Sequence, residues 1–377
     1  MADTSSHDLT FRSAPAPRRR GFWLMFALIF GICLLAAVYQ IYYIASRRAV
    51  MIGDGKTVES YQYDLSNFAL PRGPLVAGGL VKDGMPVPTN PRLVDESSVA
   101  TFKHPGPRIT TNTIINKFND DVTKVFSRPV VGSDEIIGVT LNGKHRAYPL
   151  RFMRWCEIVN DTLGGVPIAV TYSPLCDAVV VFDRRVNGKT LEFGYSGLLY
   201  NSNLVLYDRQ PDAADESLWV QLKFEAVSGK AVGQKLTVLP IEMMQWKQWA
   251  QAHEDTTVFI GDYTDRDRYK RDPYRDYLEK RELEFPVEPL PSAGGEIELF
   301  DRVWAVRRGD TWATYPAQAV MVTGGRIEWP TPPALQQLAE ALEPGHAAEV
   351  TGVVRSLWFA WHAMHPDAAM VKTGPAR

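Results

Sequence analysis

Cys156 and Cys176 are the two residues of this 377-residue chain whose side chains offer the most distinctive chemistry. A thiolate is a nucleophile and a ligand for soft metal ions, so the pair could form a metal or redox site. A disulfide between them would instead close a loop of about 20 residues and contribute roughly 3 kcal/mol in the chain-entropy model. Two unrelated buried cysteines are the third alternative, because free cysteine is among the most buried residue types. The residues themselves leave all three alternatives open.

Polar side chains accompany the two cysteines along the chain. A metal or redox site needs a further ligand, and His145 and Met153 are the nearest in sequence. Glu157, Asn160 and Asp161 form a compact polar group that could orient such a ligand. Asn160 and Asp161 could equally end a helix. Further hydrogen-bonding side chains, which predict a pocket wall between two strands, are Tyr195, Ser196, Tyr200, Asn201 and Asn203.

Short strands and one short helix would position these side chains. Apolar runs flank Asn142-Gly143 and Asn187-Gly188, and each pair is a strong signal for a two-residue β-hairpin turn. Phe152, Cys156 and Val159 recur at helical spacing, which predicts an amphipathic helix over residues 151–161. Strands are expected over residues 166–172 and 203–209, and a further helix over residues 245–253.

Composition and missing motifs exclude several function classes. A hydrophobic content of 45% and a charged content of 22% are typical of a globular protein. The net charge of −2 gives no general attraction to nucleic acid, and basic residues do not alternate with aromatic residues on one face. The sequence contains no GxSxG, Walker, HExxH or GxGxxG motif that would indicate a hydrolase, a nucleotide-binding protein or a zinc protease.

An apolar segment near the N-terminus predicts a membrane anchor. Residues 21–45 contain one strongly polar side chain, Gln40, and about 20 such residues cross a hydrocarbon core of roughly 30 Å. More arginines precede the segment than follow it, which favours a cytoplasmic N-terminus. A cleaved signal peptide is the competing interpretation, although the apolar run is longer than usual. We therefore expect a single-pass inner-membrane protein with a periplasmic body.

The chain also contains a repeated sequence pattern. Ala147-Tyr148-Pro149 is followed by a helix with the pattern Trp246-x-x-Trp249-x-x-x-His253. Later, Thr314-Tyr315-Pro316 is followed by Trp358-x-x-Trp361-x-x-x-His365, with the same spacing. This repetition predicts two structurally related halves, of which the second is shorter and lacks cysteine.

The expected fold class is α+β, with a β-rich extracytoplasmic body of two related halves preceded by one transmembrane helix. The segments are divided as follows: a cytoplasmic tail, 1–20; the anchor, 21–45; a connector, 46–65; a first half with the cysteine site, 66–262; a charged, tyrosine-rich linker, 263–302; a second half-repeat, 303–372; and a tail, 373–377.

Long motifs of the chain closely resemble the bacterial family known as domain of unknown function 3179. They include RAYPLRFMRWCEIVNDTLGGVPIAVTYSPLC and FGYSGLLYNSNLVLYDR, and the resemblance covers about residues 66–372. Members of the family typically carry WHEIVND and TYCPLC, and some have selenocysteine in place of a cysteine. The resemblance therefore implies thiol-type redox or metal chemistry at the motif, and it makes Glu157, Asn160, Asp161 and Cys176 site candidates.

This chain departs from the family pattern at two positions. Cys156 stands where histidine is usual, and Ser173 stands where the first cysteine of CPLC is usual. A hydroxyl is a poor ligand for a soft metal and cannot form a disulfide. Ser173 and Cys156 are therefore weaker candidates than Cys176.

Two functions from different classes remain. The first is binding of a soft transition metal such as copper or zinc, or thiol redox chemistry, at a site of Cys156, Cys176, Ser173 and His145. The second is a non-catalytic envelope module that binds a glycan or protein and carries a structural disulfide. The expected partners are the inner membrane, through residues 21–45, and an unidentified small molecule or envelope component, but no nucleic acid.

Overall fold

The computed structural model describes residues 28–31, 33–35, 51–95, 130–261, 267–292, 297–317, 321–323, 326–328 and 350–371. The chain divides into two compact units, residues 1–51 and residues 52–377. In the first unit, residues 28–31 and 33–35 are helical and expose Leu28, Phe30 and Leu35. Among the described ranges, the structure has no helix that is long and apolar enough to cross a membrane. Most of the predicted anchor, 21–45, lies outside the described residues.

Three β-sheets build the second unit, which is β-rich with a few short helices, as expected for an α+β protein. The central sheet contains β5 (Ile158–Leu163), β6 (Val166–Ser173), β7 (Ala178–Asp183), β14 (Thr237–Leu239), β17 (Arg302–Arg308), β18 (Thr311–Pro316), β21 (Val350–Leu357) and β22 (Ala369–Met370). Its path runs β22-β18-β17-β21-β7-β6-β5, and β14 pairs with β7.

The other two sheets have five strands each. The front sheet contains β1 (Leu75–Ala77), β10 (Phe193–Tyr200), β11 (Asn203–Asp208), β12 (Leu218–Val220) and β13 (Glu225–Ser228). The back sheet contains β2 (Leu93–Asp95), β3 (Glu135–Leu141), β4 (Lys144–Pro149), β15 (Glu242–Gln245) and β16 (Thr257–Phe259). Two small hairpins are formed by β8 (Arg185–Val186) with β9 (Lys189–Thr190) and by β19 (Met321–Thr323) with β20 (Arg326–Glu328).

The helices are short. They are α1 (Leu150–Met153), α2 (Trp246–Ala252), α3 (Arg275–Lys280) and α4 (Trp358–Met364), with 3-10 turns at Val58–Tyr61, Pro174–Cys176, Ala213–Asp215, Gln221–Lys223 and Arg268–Lys270.

The central sheet is buried on both faces and separates two hydrophobic clusters. Along β7, Val180 and Phe182 belong to the cluster shared with the front sheet, whereas Val179 and Val181 belong to the cluster shared with the back sheet. A strand buried on both faces needs an apolar residue at every position, which explains the run AVVVF.

The helix expected over residues 151–161 is wrong. Helix α1 ends at Met153, the chain turns through Glu157 with φ +56°, and β5 begins at Ile158. The β-branched residues Ile158 and Val159 fit a strand that pairs along its whole length with β6. Asn160 and Asp161 are therefore strand residues and do not end a helix.

The hairpin and strand predictions agree with the structure. Asn142-Gly143 and Asn187-Gly188 both adopt positive φ in two-residue turns, as a type I′ turn requires. The strands over 166–172 and 203–209 correspond to β6 and β11, and the helix over 245–253 corresponds to α2.

The two hairpins that carry the repeated sequence pattern are flanked by strands that pair in the same sense. β15 pairs antiparallel with β3 and β16 pairs parallel with β4; β21 pairs antiparallel with β17 and β22 pairs parallel with β18. The ring of Trp249 lies 4.1 Å from that of His253, and the ring of Trp361 lies 4.1 Å from that of His365.

The predicted linker, 263–302, contributes to the core in its described part, which excludes residues 263–266 and 293–296. It contains α3, and Tyr269 and Tyr277 are buried. Tyr277 belongs to the same hydrophobic cluster as Cys176. The segment was expected to be a linker because it is highly charged, but its buried tyrosines add apolar area to the core.

Candidate thiol site

Cys176 lies in a single 3-10 turn that connects β6 to β7. Ser173 ends β6, Pro174 starts the turn, and Asp177 leaves it in the left-handed region with φ 42°. Side chains three residues apart eclipse one another in a 3-10 turn, so Ser173 and Cys176 face the same side. The Ser173 hydroxyl, which accepts a hydrogen bond from the Leu204 N–H at 3.2 Å, acts from this side to lower the pKa of the Cys176 thiol.

The Cys176 thiol is fully buried but has polar neighbours. Its Sγ donates a hydrogen bond to the carbonyl oxygen of Ser202 at 3.1 Å. Burial raises the pKa of Cys176 well above its ordinary value, although hydrogen bonds from Ser173 and Asn203 oppose this rise. The resting group is therefore a protonated thiol whose thiolate has hydrogen-bond donors already in position.

A tight turn supplies one of these neighbours. Asn201 and Ser202 connect β10 to β11, and both have positive φ, 51° and 60°. The turn directs the Ser202 carbonyl toward Cys176, while the Ser202 hydroxyl is buried and has no hydrogen-bond partner among the described residues. The Tyr277 hydroxyl is also buried without such a partner in the described part of the chain, and it interacts electrostatically with Cys176.

Glu157 is a buried ionisable group that interacts electrostatically with both cysteines. It is 5% exposed, and burial raises the pKa of its carboxyl to about 8, although Tyr274 donates a hydrogen bond to Oε1 at 3.1 Å. Its charge raises the pKa of both Cys156 and Cys176, so the carboxyl lies within electrostatic range of each thiol. The structure therefore places Glu157, a candidate from the sequence, near both thiols.

Four residues of this site have a left-handed backbone conformation. Glu157, Asp177, Asn201 and Ser202 all have positive φ, which is uncommon for residues other than glycine. Such conformations cost of order 1–3 kcal/mol each and occur preferentially at functional sites. In Glu157 the conformation is held by two backbone hydrogen bonds, from its own N–H to the Met153 carbonyl at 2.7 Å and from the Tyr172 N–H at 2.8 Å.

Cys156 has a different environment. Its Sγ lies 3.7 Å from the carbonyl oxygen of Phe152 and 4.0 Å from that of Met153, and the residue packs in the back cluster. Burial is the main reason that the pKa of Cys156 is well above its ordinary value. Cys156 and Cys176 are both free thiols. The structural disulfide is therefore wrong, because the two side chains pack in clusters on opposite faces of the central sheet.

Asp177, next to Cys176, holds a buried ion-pair network. Its carboxylate accepts hydrogen bonds from Arg302, from Arg355 at 2.7 Å and from Tyr172 at 2.9 Å. Burial alone would raise the pKa of Asp177, but Arg355 and Arg302 outweigh burial and hold the pKa below its ordinary value. The network fixes the end of the 3-10 turn and thereby the position of Cys176.

Three predicted site residues have contacts elsewhere. The His145 ring stacks on His253 at 4.1 Å, and its Nδ1 lies 2.9 Å from the Thr140 hydroxyl. The Asn160 side chain exchanges hydrogen bonds with the backbone of Phe193. Asp161 accepts hydrogen bonds from Arg146 and Tyr148, each at 2.6 Å. These contacts give Asn160 and Asp161 structural roles, on opposite faces of β5.

Two residues of the predicted pocket wall, Tyr200 and Asn201, make packing or backbone contacts away from the thiol. Asn201 exchanges hydrogen bonds with the backbone of Glu288 at 2.7 and 3.0 Å, and the Tyr200 ring lies 6.1 Å from that of Phe68. In the described ranges, no group of three or more His, Cys, Asp or Glu side chains is arranged to hold a metal ion. The copper or zinc expectation therefore has no ligand set in this part of the chain.

Sequence reasoning missed Tyr274 and Tyr277, which approach the site from the predicted linker. Tyr274 contacts Glu157, and Tyr277 contacts Cys176 electrostatically. Their spacing of three positions at the start of α3, typical of one helix face, was the available signal.

The fold and the site together define a β-rich α+β protein with a thiol and a carboxyl buried in one polar cluster. A family model described as "Protein of unknown function (DUF3179)" matches residues 117–331. This range contains both Cys176 and Glu157. The chain belongs to this family. No curated protein and no solved structure matches it.

Proposed function

We propose that Cys176 is the reactive group of a single-thiol redox site. The observation that carries the proposal is the polar enclosure of its thiol by Ser173, Ser202 and Asn203. The unpartnered hydroxyls of Ser202 and Tyr277, taken among the described residues, support it independently, since buried polar groups are normally hydrogen-bonded. A small polar molecule beside the thiol would satisfy them.

The proposed step is oxidation of the thiol by a small hydroperoxide. The Cys176 sulfur attacks the outer peroxide oxygen, an S–O bond forms and the O–O bond breaks. The thiol becomes a sulfenic acid, the hydroperoxide is reduced to an alcohol, and the thiol proton ends on the departing alcohol oxygen.

Glu157 would relay this proton. The pKa of the thiol is well above its ordinary value, so the proton must be removed as the sulfur reacts. Glu157 lies within electrostatic range and has a pKa of about 8, which makes its carboxylate available in mildly alkaline solution. Ser173 and Asn203 would stabilise the developing thiolate by hydrogen bonding.

An external thiol would complete the cycle, because residues 52–377 contain only one other cysteine, Cys156, and it is not placed to resolve the sulfenic acid. Ser173 occupies the position at which CPLC would place a cysteine, and Cys156 packs on the other face of the central sheet. A small thiol attacks the sulfenic sulfur, water leaves and a mixed disulfide forms. A second small thiol then releases Cys176 and forms a small-molecule disulfide.

Trapping of the sulfenic acid tests the proposal. The full chain is treated with hydrogen peroxide and with a cyclic dione that labels sulfenic acids, and labelled peptides are identified by mass spectrometry. We expect labelling at Cys176 and its loss in Cys176→Ser, while Cys156→Ser, a matched buried cysteine, should label as the native chain does. Labelling confined to Cys156, or none in folded protein, would exclude the proposal. Stoichiometric copper or zinc in the purified chain would support a soft-metal site instead.

We also propose that residues 21–45 anchor the chain in the inner membrane with its body in the periplasm. The apolar run and the exposed Leu28, Phe30 and Leu35 in its described helical turns support this. Alkaline carbonate extraction of membranes tests anchoring, and protease added to spheroplasts tests the side on which the body lies. Release by carbonate would contradict the anchor.

We further propose that the two hairpin–helix units derive from one duplicated motif. Their identical strand pairing senses and the equivalent pairings of Gly138 with Ala147 and of Ala305 with Thr314 support it. Superposition of the two units in an experimental structure tests it, and a different path in one unit would contradict it.

A further inference from the structure

A cavity of about 430 Å³ lies beside the thiol site. It is enclosed by α3, by the residues that lead into β17, and by the ends of β18 and β21; its lining residues are Leu278, Arg281, Phe300, Asp301, Arg302, Ala317 and Leu357. This volume is in the range of sites that bind small molecules. The apolar side chains form one part of the lining; the guanidinium groups of Arg281 and Arg302, with the Asp301 carboxylate that pairs with Arg281, form another.

The two arginines retain hydrogen-bonding capacity toward the cavity. Arg302 binds Asp177 through Nε, and its terminal nitrogens donate no hydrogen bond to the described residues. Arg281 uses Nη2 to bind Asp301 at 2.8 Å and Glu298 at 3.0 Å. Their side chains are 53% and 43% exposed. Since a guanidinium has five N–H donors, most donors of both groups remain for a ligand.

We propose that this cavity binds a small organic carboxylate that has an apolar body. Arg281 and Arg302 donate hydrogen bonds to the carboxylate, for which the planar guanidinium is well suited. The apolar body packs against Leu278, Phe300 and Leu357. This binding goes beyond the thiol chemistry proposed above and stands without it.

A substitution test must separate the cavity from the ion-pair network of Asp177. Arg302 belongs to both, so its replacement would also disturb the 3-10 turn of Cys176. Arg281→Gln removes one positive charge of the cavity without touching Asp177. Ala317→Phe fills the cavity and leaves both arginines in place. Arg307→Gln is the matched control, because Arg307 lies on β17 but binds Thr351 and lies over the Trp312 ring.

Isothermal titration calorimetry of the full chain with benzoate and hexanoate, and with the neutral benzamide and hexanamide, tests the proposal. We expect saturable binding of a carboxylate at a stoichiometry of one, with the matching amide at least tenfold weaker. Arg281→Gln and Ala317→Phe should each weaken carboxylate binding at least tenfold, and Arg307→Gln should not change it.

Three results would overturn the proposal. They are absence of saturable carboxylate binding by the native chain, equal affinity for acid and amide, and unchanged binding when both folded cavity variants are compared with the native chain. Thermal unfolding of each variant establishes that it is folded, and either cavity variant suffices if the other is not. Sulfenic-acid trapping at Cys176 does not enter this test, so the two proposals can fail separately.

Discussion

Replacement of Glu157 by glutamine should change how the stability of the protein depends on pH. Burial raises the pKa of Glu157 to about 8 from an ordinary value of 4.5. Between these values the native state keeps a proton that the unfolded chain has released, so a rise in pH lowers the free energy of unfolding. One pKa unit corresponds to about 1.4 kcal/mol, and a change from pH 5.5 to 7.5 should therefore cost about 2.7 kcal/mol.

The difference between the two unfolding curves isolates this effect. Other groups also titrate, including His365, whose pKa burial lowers to about 4, but they contribute equally to both proteins. Glutamine keeps a carbonyl oxygen to accept the Tyr274 hydrogen bond and cannot ionise. Urea unfolding at pH 5.5, 6.5 and 7.5 should show Glu157→Gln gaining about 1.4 kcal/mol per pH unit relative to the native chain. Glu279→Gln, at an exposed position of α3, is the matched control. Parallel curves for native chain and Glu157→Gln would refute the reasoning.

Two further predictions concern the back sheet and the thiol turn. Gly138→Ala should lower the free energy of unfolding by about 1–3 kcal/mol in urea titrations, because the added Cβ would lie 2.3 Å from the Trp249 ring. Gly132→Ala is the control and should have a much smaller effect, because its added Cβ would have its nearest contact at 3.5 Å. Equal losses of stability in the two variants would contradict this packing argument. Ser173→Cys should form an internal disulfide with Cys176 on mild oxidation, detected by mass spectrometry of peptides, because the two residues lie three positions apart in one 3-10 turn. Two thiols that stay reduced in the folded oxidised protein would contradict this geometry.

Local patterns predicted much of the fold. Asn142-Gly143 predicted a hairpin because few residue pairs adopt positive φ at both positions at low cost. The apolar run over residues 166–172 predicted the strand that is observed as β6. The error at residues 151–161 arose because Phe152, Cys156 and Val159 fit helical spacing by chance, while pairing of β5 with β6 outweighs local helix preference.

The site was harder to predict than the fold. The sequence made Cys176 a candidate through its thiol and Ser173 one through the resemblance to the CPLC motif, and the structure places the two residues three positions apart in one 3-10 turn. The sequence also suggested that Cys156 lies beside Cys176, whereas the two residues pack in the hydrophobic clusters on the two sides of the central sheet. Tyr274 and Tyr277 reach the site from about a hundred residues away, as the separation of 117 between Tyr274 and Glu157 illustrates.

The amino-acid sequence by itself determined the local conformations, such as the turns and strands, and identified the thiol at position 176 as a candidate group. Only the tertiary structure decided what surrounds that thiol. The pKa of a carboxyl such as Glu157 depends on how much solvent the packed sheets remove, and on which distant hydroxyl donates to it. The burial and the hydrogen bonding of Glu157 arise from contacts between residues that are far apart in sequence, and short-range periodicity cannot predict them.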